Sequence, residues 1–152
     1  MRLGLCAAIA ALLFPAAAAA QTDAGWQLSL RWPADGTVTS PYGQDGYRWH
    51  PGLDIGILNS LDVRAAADGV ATHVGFVQGY EGYGSVVLVQ HRAGYATLYA
   101  HLSRALARVG EHVVQGERIG LAGCTGWCTG THLHFELRYR NVAIDPSLLI
   151  VG

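Results

Sequence analysis

Two short segments hold side chains able to bind one metal ion. The first is His50-Pro-Gly-Leu-Asp54; the second, some eighty residues on, is Gly130-Thr-His-Leu-His-Phe-Glu136. Together they offer two imidazoles and a carboxylate for the ion, with a third histidine beside them. Three protein ligands plus an open fourth position distinguish a catalytic zinc site from a closed structural one. A hard carboxylate oxygen among borderline nitrogens suits zinc and leaves it Lewis-acidic. His101, inside Tyr99-Ala-His-Leu-Ser103, adds a group able to carry a proton near neutral pH.

The elements that must position these groups follow from spacing. His132, His134, Glu136 and Arg138 alternate with Leu133, Phe135 and Leu137. A period of two predicts a strand with the histidines and Glu136 on one face and the apolar set in the core. Two imidazoles on such a face can reach one site without both being ligands. Glu136 on that face is placed to orient an imidazole through its second nitrogen. Pro51 and Gly52 disfavour helix, so the chain between His50 and Asp54 is extended or turning. Taken alone, each segment also reads as an ordinary polar strand face or an Asp-capped turn.

Elsewhere the 20 glycines fall between short alternating or apolar runs, a strand-and-turn pattern. Strands are predicted over residues 70–77, 85–90, 95–101, 111–114, 118–121 and 132–139. One helical turn is predicted over 103–109, stopped by Gly110. The fold class is therefore all-β, a single compact domain of two packed or strongly coiled antiparallel sheets.

Residues 1–20 read as a secretory signal peptide. Arg2 is followed by an apolar run to Phe14, then Pro15 and the alanines that end in Ala18-Ala19-Ala20, a small-x-small cleavage site. Residues 21–40 form a lead-in and 41–152 the functional domain. The expectation is export to the periplasm or cell-wall space, or secretion, with no membrane span in the mature chain. Without Arg2, nine arginines face eleven acids, a net charge of −2 (9 − 11), and lysine is absent. That balance, with no basic run, argues against a nucleic-acid partner. Cys124 and Cys128 are the only cysteines left once Cys6 is removed. An even count in an oxidising compartment favours a disulfide between them. The rival use of these residues is a closed Cys₂His₂ zinc module with His132 and His134, which leaves His50, Asp54 and His101 unexplained.

From about Pro41 to Pro146 an ordered series of motifs extends this picture. It runs through His50-x₃-Asp54-Ile55, Ala67-Asp-Gly-Val70, Tyr83-Gly-Ser-Val-Val-Leu-Val89 and Leu98-Tyr-Ala-His-Leu-Ser103. It continues with Gly116-Glu-Arg-Ile-Gly120, Gly123-Cys-Thr-Gly126, Thr129-Gly-Thr-His-Leu-His-Phe-Glu136 and Asp145-Pro146. In these the chain resembles the lysostaphin/LytM-type zinc metallopeptidases, family M23. The resemblance implies a duplicated-hybrid-motif fold with a substrate groove. It also implies hydrolysis of peptide cross-links in bacterial peptidoglycan, with peptide stems as the partner and a monomeric chain. One Zn²⁺ per chain falls on His50, Asp54 and His134. His101 and His132 match the catalytic pair: one takes a proton from the attacking water and returns it to the leaving amine, the other steadies the oxyanion, in either order. Tyr42 and Tyr47 are both candidates for substrate contact, and Trp49 and Trp127 for groove walls. His73, His91 and His112 are expected at the surface or at strand ends. An exported domain with no evident wall-targeting module fits cross-links of the D-alanine/diaminopimelate type. Some relatives have lost metal ligands and act as activators; here every ligand position is kept. A catalytically silent wall-binding or hydrolase-activating protein is the alternative.

Overall fold

The computed structural model describes residues 26–46 and 48–151. The predicted signal segment, the start of the lead-in and Tyr47 lie outside the described residues. Along the chain come β1 (Thr37–Ser40), β2 (Gly43–Asp45), β3 (Arg48–His50), β4 (Leu53–Gly56) and β5 (Asp62–Arg64). The longer strands β6 (Gly69–Phe76), β7 (Ser85–Gln90) and β8 (Tyr95–Ala100) follow. The short strands β9 (Arg104–Ala105), β10 (His112–Val113) and β11 (Arg118–Leu121) precede β12 (Leu133–Tyr139) and β13 (Val142–Ile144).

Eight strands share one antiparallel sheet in the order β1-β4-β12-β8-β7-β6-β10, with β13 also beside β12. Strands β5, β11 and β9 make a second sheet, and β2 and β3 a hairpin. Strand alternation divides the apolar residues between two clusters. Tyr99, Leu133, Phe135, Leu137, Val87 and Val89 face the main core, where they meet Leu102 and Ile119 from the second sheet side. On the opposite face, Val86, Leu88, Ala96, Leu98 and Ala100 pack under Val77, Tyr80 and Tyr83. This is the all-β compact domain expected.

Two details depart from expectation. Residues 103–109 form no helix: Arg104 and Ala105 pair with Leu121 and Gly120 of β11, and the Leu106 and Ala107 amides donate to Ile119 O. Seven residues are too few to nucleate a helix against such non-local partners. The lead-in, for its part, contributes to the core. Leu30 is fully buried and bridges to Ile150, and Leu28 lies beside it.

Candidate functional site

Strand pairing brings the two halves of the site together. In the β4–β12 ladder Asp54 stands directly opposite His134. Asp54 Oδ1 lies 2.8 Å from His134 Nδ1 and 3.2 Å from His50 Nε2, and the two nitrogens are 3.1 Å apart. All three ligand atoms lie within 4.8 Å of one another. His50 arrives from the end of β3 through Pro51-Gly52. A Cβ on Gly52 would overlap Phe135 O and come within 2.9 Å of Glu136 Cγ, so only glycine lets this turn lie against β12.

His101 follows β8, and its φ of 59° turns it out of the strand line toward the groove. That conformation costs a non-glycine residue about 1–2 kcal/mol; such strain is commonly held at functional sites. His132 sits at the mouth of β12, its amide on Gly123 O. The His101 and His132 rings are 4.8 Å apart, and His132 Nε2 is 3.6 Å from Asp54 Oδ1.

Each of the four imidazoles has one nitrogen tied to an oxygen that can only accept. His50 Nδ1 meets Pro41 O at 2.8 Å and His134 Nε2 meets Glu136 Oε1 at 3.0 Å. His101 Nδ1 meets Thr125 O at 2.7 Å and His132 Nδ1 meets Gly130 O at 2.8 Å. Carbonyls and carboxylates do not donate, so each of these nitrogens carries the hydrogen, and in a neutral ring the other presents a lone pair. For His50 and His134 that other nitrogen faces the Asp54 carboxylate, so the contact needs either a proton on the imidazole, which then donates to Asp54, or a cation in the proton's place. The donor set fits zinc by this test.

The ionisation of the group follows the same logic. Burial works against charging His134, but bonds to Asp54 and Glu136 outweigh it and raise its pKa to about 8. The bond to Asp54 raises His50 as well, against burial. Burial tends to raise Asp54, yet its bonds to His134 and His50 hold it well below the usual carboxylate range. His101 is lowered by burial, which keeps it neutral and able to accept a proton.

Behind His134 lies a buried polar chain. Glu136 is fully buried; its Oε2 accepts from Arg138 Nε at 2.6 Å and its Oε1 from the Tyr83 hydroxyl at 2.7 Å. Arg138 also donates to the Tyr80 hydroxyl at 3.1 Å. Glu136 is held low in pKa despite burial, by bonds from His134, Arg138 and Tyr83. The face predicted as polar is thus a covered one. Tyr83 is a residue of the site that sequence reasoning misses, because nothing local signals a hydroxyl aimed at a carboxylate 53 positions away.

A groove of about 590 Å³ runs over these groups, walled by Trp49 and Trp127 and edged by Arg48 and Glu81. Tyr42 does not line it: its hydroxyl donates to Ala143 O and its ring packs edge-on against Trp49. Tyr42 is packed behind Trp49 in this way, while Tyr47 lies outside the described residues. Cys124 and Cys128 are disulfide-bonded, which leaves no thiolate for a Cys₂His₂ module. His73 and His112 are exposed at a distance from the groove. His91 ends β7 as expected but is buried, bonded to Asp68 O and Thr97 Oγ1.

Comparison with known proteins agrees with this geometry. Residues 48–146 match the model of peptidase family M23. The DD-carboxypeptidase/endopeptidase Mpg of Neisseria meningitidis serogroup B is 41% identical over 118 residues, covering 72% of this chain and 26% of that protein. The murein hydrolase activator NlpD of Salmonella typhimurium is 34% identical over 117 residues, covering 76% of this chain and 30% of that protein. The chain thus spans between a quarter and a third of the length of these curated relatives. A crystal structure of a putative peptidase M23 from Pseudomonas aeruginosa superposes with a TM-score of 0.71 at 31% identity, covering 81% of this chain and 50% of that one. With the matched segment holding the whole His-Asp-His cluster and the groove above it, the chain belongs to peptidase family M23.

Proposed function

We propose that this protein is a zinc-dependent endopeptidase that hydrolyses peptide cross-links of bacterial peptidoglycan, of the D-alanine/diaminopimelate type. One observation carries the reading: His50 Nε2, His134 Nδ1 and the Asp54 carboxylate converge beside two further imidazoles, His101 and His132, that line the same groove. His50 through Nε2, His134 through Nδ1 and Asp54 through its carboxylate would hold one zinc ion. When bound there, zinc supplies Lewis acidity toward a water and toward the scissile carbonyl.

The remaining chemistry belongs to the chain. In one neutral imidazole, His101 or His132, the free Nε2 accepts the proton of the attacking water. The same nitrogen, now protonated, delivers it to the amine as the C–N bond breaks. The second imidazole, when protonated, donates to the carbonyl oxygen as negative charge gathers there. Glu136 keeps the His134 ring in the tautomer whose Nδ1 points inward. Trp49 and Trp127 present the apolar walls along which an extended peptide stem lies.

The relative named a DD-carboxypeptidase/endopeptidase supports a wall-peptide substrate. The relative named a murein hydrolase activator favours the second reading, a catalytically silent wall protein. The complete donor set argues for the enzyme. Export, with residues 1–20 as the signal and 41–152 as the working monomeric domain, belongs to the same proposal. Among the described residues, no helix is long and apolar enough to cross a membrane.

The test is mass spectrometry of fragments released from purified peptidoglycan by the zinc-loaded protein. Cleaved D-alanine/diaminopimelate cross-links, absent with chelator, are expected. Cutting of glycine-bridged wall alone would overturn the substrate class, and binding without release would favour the activator.

A further inference from the structure

Both bonds that set the free nitrogens of His101 and His132 come from one short segment, residues 124–130. Thr125 O receives His101 Nδ1–H, and Gly130 O receives His132 Nδ1–H. No strand runs through this segment. The Cys124–Cys128 disulfide, with Cα atoms 5.3 Å apart, closes residues 124–128 into a small loop that contains Thr125 and stops two residues before Gly130. Cys128 Sγ itself lies 2.9 Å from Gly130 O and 3.8 Å from His132 Nδ1.

The segment is docked on the loop before β7. Trp127 N donates to Gly82 O at 2.9 Å, and the Thr125 hydroxyl bridges Ser85 N and Leu102 O. Gly126, at φ 72°, brings backbone against backbone: a Cβ there would overlap Gly84 N and Gly82 O. Backbone carbonyls in such a turn point wherever the chain lets them. Here their directions decide which nitrogen of each histidine carries hydrogen.

We propose that the Cys124–Cys128 disulfide is a positioning element of the hydrolytic site. It presents Thr125 O and Gly130 O to the two imidazoles and so locks both in the Nδ1–H tautomer, with the Nε2 lone pair on the groove side of each ring. The proposal rests on the endopeptidase reading for its consequence in rate, though not for its consequence in tautomer. With the bridge absent, the segment samples other turns and each imidazole divides between its two tautomers. Only the molecules with both Nε2 atoms free turn over. Zinc uptake is untouched, because His50, Asp54 and His134 are oriented by Pro41, β4 and Glu136.

The experiment compares the zinc-loaded full chain with its Cys124→Ser/Cys128→Ser variant. Nitrogen-15 spectra of labelled histidine report the tautomers, metal analysis the zinc, and cleavage of a cross-linked stem peptide the kcat and KM. Expected are Nδ1–H signatures for His101 and His132 in the parent and mixed signatures for both in the variant. Zinc stays near one per chain, and kcat falls about fourfold for an even division of both rings, at nearly constant KM. Unchanged tautomers in a folded variant overturn the proposal, whatever the rate. Should the double variant not fold, reducing the bridge in the folded parent with a phosphine makes the same test: mixed tautomers at His101 and His132 are expected, and unchanged tautomers overturn the proposal. A parent that shows the locked tautomers, loses them in the variant and never cleaves wall contradicts the endopeptidase reading while the positioning role stands.

Discussion

Asp54 and His134 are cross-strand partners, facing each other in the β4–β12 ladder with Oδ1 2.8 Å from Nδ1. Eighty residues separate them in sequence, yet a single antiparallel register makes them neighbours. A slip of one residue would send both to the other face of the sheet. The site is thus as stable as that register. Asp54→Ala and His134→Ala should each reduce bound zinc from about one per chain to near zero at micromolar metal, since two ligands rarely hold zinc. Metal analysis after gel filtration checks this, with circular dichroism to show an intact fold.

Gly52 tests the approach of the His50 turn to β12. In Gly52→Ala the added methyl meets Phe135 O, which as strand backbone cannot move aside. The expected loss is about 1–3 kcal/mol of stability, the usual cost of overpacking, together with weaker zinc binding as His50 is levered away. Denaturant unfolding and zinc titration would measure the two effects. Wild-type values in both would show that the turn is not held against the strand.

Glu136 should be indispensable to the fold as well as to the metal. It is fully buried between His134, Arg138 and Tyr83. Glu136→Ala leaves the Arg138 guanidinium without its carboxylate, and breaking a buried pair in this way costs about 3–5 kcal/mol. Glu136→Gln still accepts from His134 Nε2, so it should bind zinc better than the alanine variant while remaining less stable than the parent. Chemical denaturation and zinc affinity, measured on both variants, give the comparison.

The pH dependence of the metal-free protein has a definite sign. His134 is raised from 6.5 to about 8, and His50 moves the same way. A raised histidine contributes stability that is fully present below its unfolded value and disappears as pH climbs through the folded one. The metal-free melting temperature should therefore decline between pH 6.5 and about 8. Asp54, held low, adds stability that is lost only in acid, below its ordinary 3.8. Zinc competes with the His134 proton, so its apparent affinity should rise with pH across the same window and level off above it. Differential scanning calorimetry with and without zinc distinguishes the two trends; parallel curves would contradict this assignment.

Much of this arrangement is legible in the order of the residues themselves. Strands β7 and β11 stand at the predicted residues because each is a short apolar or β-branched run closed by turn residues. That His50, Asp54 and His134 come together is legible because such side chains have few other uses in such close company. The burial of Glu136 is not, since alternation assigns a face but not what covers it. Tyr80, Tyr83 and the loop they occupy arrive from fifty residues upstream. Residues 103–109 mislead for a related reason: their helix-forming composition yields to pairing with β11. The setting of each imidazole is equally hidden, because three of the four acceptors are backbone carbonyls that have no sequence signature.

The most direct test adds zinc back to the metal-free protein while new amino termini released from peptidoglycan are counted. Release should rise in proportion to zinc and saturate at one ion per chain, and His101→Ala and His132→Ala should bind that ion yet release little. Cleavage that persists without metal, or a fully zinc-loaded wild-type protein that releases nothing, would contradict hydrolysis at the His50–Asp54–His134 centre.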